Sequence, residues 1–124
     1  MADKRKRSGQ PPKALEAEVH QFAVPGEMLP LLQRVRGNKN KRSASALVKT
    51  GPIRVQVIAL DEGGEWLNAA AEGPFTVQCL LGRARLSMQG REHRLTTGDL
   101  LVVDAGVQHD IRADEASVLL VTVV

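Results

Sequence analysis

The sequence predicts an all-β domain, a sandwich or barrel of short strands preceded by a short helical and disordered N-terminal segment. From residue 46 onward, β-branched and aliphatic runs recur between turn clusters rich in Gly, Pro, Asn and Asp, with no helical period between them. The chain has 124 residues with 43% hydrophobic content, enough for one core and too few for two domains. Only Phe22, Trp66 and Phe75 are aromatic, so the core must be aliphatic.

Taken in order, residues 1–13 are polar and basic, end in a Pro pair, and lack the apolar content to form a core, which predicts a disordered tail. Residues 14–45 read as a helical and loop arm. Pro25-Gly26 breaks the chain, and Glu27 to Arg36 can form a helix with Leu29, Leu32, Val35 and Met28 on one face and Pro30 in its first turn. Gly37-Asn38 stops that helix. Residues 46–124 hold the strands, at 46–49, 53–60, 75–81, 83–88, 91–95, 100–103, 107–113 and 117–124. Gln89-Gly90 between two of them is a hairpin signal, and Thr97-Gly98-Asp99 is a turn.

Charge is uneven. Residues 1–50 carry 11 Lys and Arg against 4 Asp and Glu, whereas residues 51–124 carry 6 against 10, so a cationic arm precedes a mildly acidic body. The run Lys4-Arg5-Lys6-Arg7 is read first as a solubilising tail and second as a contact for nucleic acid or another anionic surface. No apolar run is long enough for a membrane span or for the core of a signal peptide. One cysteine, Cys79, cannot form an internal disulfide, which together with the missing leader predicts a cytoplasmic setting.

Two glycine-framed motifs stand out. Gly63 and Gly82 enclose a stretch with Ala69, Ala71 and Phe75 at fixed spacings, and Gly98-Asp99-Leu100-Leu101-Val102-Val103 leads through Asp104 and Gly106 to His109 and Ala113. Over residues 46–124 this pattern resembles the cupin family in its small single-domain, RmlC-like form, whose motifs read G-x5-H-x-H-x3,4-E-x6-G and G-x5-P-x-G-x2-H-x3-N. The resemblance implies a double-stranded β-helix, or jelly-roll, barrel. It implies also that the two His and the Glu of the first motif's metal site fall on Ala69, Ala71 and Phe75, and the His of the second on His109. Alanine and phenylalanine offer no donor atom, and a catalytic metal usually needs about three protein ligands. No metal and no other cofactor are therefore expected. Asn68, Glu72 and Cys79 are the substitute ligands a rescued site would need.

Strand alternation places His109, Val107 and Ile111 on one face, and Phe75, Val77 and Cys79 on another inward face, giving an apolar interior with few polar groups. His109 is the first candidate for contact with a ligand, or for general acid–base chemistry; the competing reading is a residual ligand position satisfied by its neighbours. Gln56, Gln78, Phe75 and Trp66 are the other candidate ligand contacts, with outward exposure the alternative for the glutamines and packing or a dimer contact the alternative for Trp66. An Asp104–His109 dyad across the turn is a weaker option, and His20 and His93 read as surface residues. Cys79 reads as a small core residue.

Three function classes follow. The first is a metal-independent protein that binds or senses a small organic ligand inside the barrel. The second is an enzyme, either isomerase-like with His109 as base or metal-dependent through substitute ligands. The third is an interaction protein that uses the basic arm. Exposed sheet edges in so small a barrel suggest a homodimer.

Overall fold

The computed structural model describes residues 19–124. It contains one helix, α1 (Val24–Arg36), followed by nine strands: β1 (Arg42–Thr50), β2 (Ile53–Leu60), β3 (Glu65–Ala69), β4 (Phe75–Leu81), β5 (Arg83–Met88), β6 (Arg91–Thr96), β7 (Leu100–Val103), β8 (His109–Ala113) and β9 (Ser117–Val123). The strands form two antiparallel sheets, one ordered β1-β2-β9-β4-β7 and the other β3-β8-β5-β6. This is the expected jelly-roll barrel with a short helix ahead of it. The expected tail at 1–13 and the first residues of the arm lie outside the described residues.

Side-chain alternation along β9 divides the interior in two. Leu119 and Val121 point between the sheets, where they meet Ile58, Phe75, Val77, Leu86 and Ile111. Val118 and Leu120 point the other way, into a second core closed by Leu31 and Val35 of α1 together with Leu47, Val57 and Ala59. The larger sheet is thus a middle layer, apolar on both faces where the helix covers it.

The helix differs from its sequence reading. It starts at Val24, so Pro25 occupies its first turn instead of breaking the chain, and Pro30 lies inside it. Pro30 removes the hydrogen bond that a backbone N–H would make one turn back. Burial offsets that loss: Leu31 and Val35, four residues apart, are fully covered, while Leu29, expected on the buried face, is 61% exposed. Strand β3 was not expected, because Glu65-Trp66-Leu67-Asn68-Ala69 lacks an alternating pattern and carries a bulge between Trp66 and Ala69.

The turn chemistry follows the sequence closely. Gln89 (φ 51°) and Gly90 (φ 74°) both take positive φ, as a tight two-residue hairpin between β5 and β6 requires. Outside the smaller sheet, Arg85 bridges Glu92 at 3.4 Å and Asp114 at 2.8 Å, and Arg112 bonds Glu65 at 3.1 Å, forming a charged solvent face. A hydrogen bond from Arg94, aided by Arg85, holds the Glu92 carboxyl below its ordinary range. Among the described residues no helix is long and apolar enough to cross a membrane.

Gly82 turns β4 into β5 and so carries the chain from one sheet to the other. Its φ is +90°, and a Cβ there would collide with the Ala116 carbonyl and the Ser117 hydroxyl. Both obstacles are fixed: the first is backbone, and Ser117 Oγ accepts from the Arg83 N–H at 3.0 Å and donates to the Glu115 carbonyl at 2.7 Å. Gly82→Ala is expected to destabilise the protein by more than about 1 kcal/mol, with both wrong φ and collision contributing. Urea unfolding followed by circular dichroism measures this, and an unchanged midpoint would refute the account of this turn.

Candidate functional site

The barrel encloses a cavity of about 380 Å³. Its walls come from both sheets. The larger sheet contributes Gln56 and Ile58 of β2, Phe75 and Val77 of β4, and Val121 and Val123 of β9. The smaller sheet contributes Trp66, Asn68 and Ala69 of β3 with His109 and Ile111 of β8, and the β3–β4 loop adds Ala70 and Ala71. Ladder register explains the grouping: Gln56 pairs with Val121, Val77 with Val121, and Phe75 with Val123, so these side chains share one face.

The motif positions meet in this cavity. Ala69 pairs directly across the ladder with His109, Ala71 lies nearby in the lining, and Phe75 stacks on the imidazole with ring centroids 4.8 Å apart. In place of four converging donors there is one imidazole, two methyl groups and a phenyl ring. Among the described residues no three His, Cys, Asp or Glu side chains gather where they could hold a metal ion. The substitutes do not assemble either. Asn68 lines the cavity, but Glu72 opens onto a different groove, and Cys79 is fully buried in the core. The residues present do not fit a divalent metal.

His109 is 7% exposed, and its Nδ1 lies 3.2 Å from the Val107 carbonyl oxygen. A carbonyl only accepts, so Nδ1 carries the proton and donates it, which leaves Nε2 as the ring nitrogen without a partner among the described residues. The expected dyad does not form: Asp104 is exposed on the turn, and the imidazole's hydrogen bond goes to backbone. The neighbouring Asp110 carboxylate is engaged elsewhere, accepting the Asn68 N–H at 2.7 Å. That bond stabilises the bulge in β3, where Asn68 adopts φ +57°.

Four of the five expected contact residues line the cavity: His109, Gln56, Phe75 and Trp66. Gln78 does not. It pairs with Leu100 and Leu120 on the outer face of the larger sheet, because β4 alternates and Phe75, Val77 and Cys79 take the inner positions. Trp66 serves as wall and as packing surface at once, and the Arg42 guanidinium lies 5.1 Å from its ring centroid. His20 and His93 are half-buried, and neither lines the cavity. Sequence reasoning passed over Ile58, Asn68, Ala70, Val121 and Val123 as cavity residues. Asn68 and Ala70 lie at a bulge whose register a sequence pattern does not reveal, while strand alternation groups Ile58 with Gln56 and Val121 with Val123.

The sequence of residues 77–120 matches the model of the AraC-like ligand binding domain. Among solved structures, a conserved Streptococcus pyogenes protein of unknown function is 28% identical, with 70% of this chain and 76% of that one covered and a TM-score of 0.64. A cupin superfamily protein from Desulfitobacterium hafniense is 19% identical over 93% of this chain and 98% of that one, with a TM-score of 0.68. An RmlC-like cupin from Shewanella frigidimarina is 20% identical over 68% of this chain and 76% of its own, with a TM-score of 0.63. No curated protein matches the sequence.

Cys79 sits behind the cavity wall, with its Sγ 3.4 Å from the Leu81 carbonyl oxygen and 3.5 Å from that of Gly82. Burial pushes its thiol above the ordinary value of 9.0. The sign follows from linkage: the unfolded thiol ionises near 9.0 while the buried one still holds its proton. Stability contributed by this group is therefore intact below that pH and falls as pH rises above it. The native protein is expected to react with a disulfide reagent at pH 8 at least about tenfold more slowly than the urea-unfolded chain. Equal rates would show an accessible thiol.

Proposed function

We propose that this chain, which has the fold of a cupin, binds a small organic molecule inside the barrel and does so without a metal. The observation that carries this reading is the state of His109. The ring is buried in the cavity wall, stacked on Phe75 at an interplanar angle of 30°, and fixed by the Val107 carbonyl so that Nε2 remains available. A cavity of about 380 Å³ with mostly aliphatic walls and a few polar groups, here His109, Gln56 and Asn68, has the usual makeup of a small-molecule site. The match to a ligand-binding family model supports the same reading.

Binding is favoured over catalysis for a specific reason. An imidazole acting as base gains from a carboxylate on its other nitrogen, and Nδ1 of His109 faces a backbone carbonyl instead. On this reading the protein acts in the cytoplasm, in keeping with a single buried thiol. We read the assembly as a homodimer. Its support is β7, an edge strand exposing Leu100 and Val102 beside Gln78, on a part of the sheet face that lies beyond the helix.

Elemental analysis of the purified protein is expected to find no stoichiometric Fe, Mn, Ni or Zn; one equivalent of any of them would overturn the metal-free reading. A small-molecule screen by thermal shift is expected to find stabilising ligands, with a rise of about 2–8 °C at saturation. His109→Ala should abolish that rise while the protein keeps its circular dichroism spectrum. A ligand whose effect survives His109→Ala would remove this residue from the site. For the dimer, Val102→Asp is expected to convert a sedimenting dimer to monomer, and a wild-type protein that sediments as monomer sinks that part of the reading.

A further inference from the structure

The cavity does not end at Gln56 and Val123. A groove of about 620 Å³ shares Gln56, Ala70, Ala71 and Val123 with it and adds Lys49, Arg54 and Glu72. Arg54 lies on β2 two residues before Gln56 and four before Ile58, so strand alternation puts it on the cavity face, at the rim. It pairs with Val123 of β9, a cavity residue.

Lys49 reaches the same place by an irregularity. The β1–β2 ladder shifts register between Ala46 and Val48, after which Lys49 stands directly opposite Arg54. Without the shift Lys49 would oppose Ile53 and face away from the rim. The bulge re-aims a cation toward the mouth. Two like charges directly opposite on a ladder repel, a cost the fold gains nothing from in isolation. Among the described residues neither Lys49 nor Arg54 has an ion pair, whereas Arg85, Arg94 and Arg112 of the smaller sheet each meet a carboxylate, and its unpaired Arg83 and Arg91 do not stand opposite another unpaired cation. Glu72 in the same groove leaves it with an excess of one positive charge.

We propose that the ligand is a small organic anion, a carboxylic acid with an apolar body. Its carboxylate bridges Lys49 and Arg54 at the mouth, and its body lies between Phe75, Val121 and Val123 toward His109. The anion relieves the cross-strand repulsion, and Arg54 presents a planar fork suited to a carboxylate. This inference rests on the small-molecule reading given above and names the chemical class that reading leaves open.

The chain has one tryptophan and no tyrosine, so its emission reports from Trp66 in the cavity wall. The probes are octanoate and phenylacetate, each set against its neutral primary amide, titrated into the full chain while Trp66 emission and melting temperature are followed. Each acid is expected to bind at least about tenfold more tightly than its amide, as hydrogen bonds to a charged group imply. Lys49→Gln and Arg54→Gln should each remove most of that preference and leave amide affinity unchanged. Arg91→Gln, an equal change of net charge on an exposed hairpin strand, should alter neither. Equal affinity for acid and amide, or an acid preference that survives Lys49→Gln and Arg54→Gln together, overturns the anion site but leaves the small-molecule reading standing. If no acid or amide binds, and a broad neutral library also fails to move emission or melting temperature, both readings fall. If only neutral molecules of that library bind, the anion site alone falls.

Discussion

The whole arrangement depends on β9 being buried on both faces. Leu119 and Val121 fill the space between the sheets, and Val118 and Leu120 fill the space under the helix. A strand with two apolar faces has no solvent side to slip toward, and its neighbours β2 and β4 are tied to it over seven and six residue pairs. A shift of one residue would exchange the two cores, placing valines cut for one volume into the other. Register on β2 and β4 follows from this, and with register comes the set of side chains that face the cavity: Gln56 and Ile58 from one, Phe75 and Val77 from the other.

The parts of this fold that were legible in the sequence are those where a local rule and the tertiary structure agree. The strands with clean alternation, such as 75–81, could be read with their inward faces, and the glycine frame predicted the barrel because Gly63 and Gly82 take backbone conformations that other residues resist. The failures share a cause. Pro25-Gly26 reads as a break by local chemistry, yet burial of Leu31 and Val35 extends the helix back across it and on through Pro30. Strand β3 is held by pairing to β8 and not by its own pattern, so it could not be read from residues 65–69 alone. For the site, parity placed His109 and Phe75 correctly. Gln78 went astray because an amide in an apolar strand was read by its residue type, when alternation from Phe75 already assigned it outward.

Ala69, Ala71 and Phe75 suit an apolar interior, and the packing shows why. Ala69 opposite His109 leaves room, which Phe75 takes up by stacking on the imidazole. A phenyl ring in the wall adds no charged or strongly hydrated group to an interior otherwise lined by aliphatic side chains, which favours folding. The Val107 carbonyl orients the imidazole through Nδ1. The result is a largely apolar cavity with one oriented imidazole in its wall.

Both departures from regular pairing in the strands at the cavity mouth act on this same space. In β3 the bulge between Trp66 and Ala69 turns Asn68 to positive φ and brings Ala69 level with His109. In β1 the shift between Ala46 and Val48 lets Leu47 and Val48 both be buried and sets Lys49 across from Arg54. Neither irregularity lies in β9 or β2 beside the two cores, where register decides stability; each lies in a strand at the edge of its sheet, where the ladder can be broken at least cost. The shift between Cys79 and Leu81, in the ladder of the central strands β4 and β9, lies instead beside the Gly82 turn that leads to the other sheet. The two edge-strand shifts are the ones that shape the cavity and place charge at its rim.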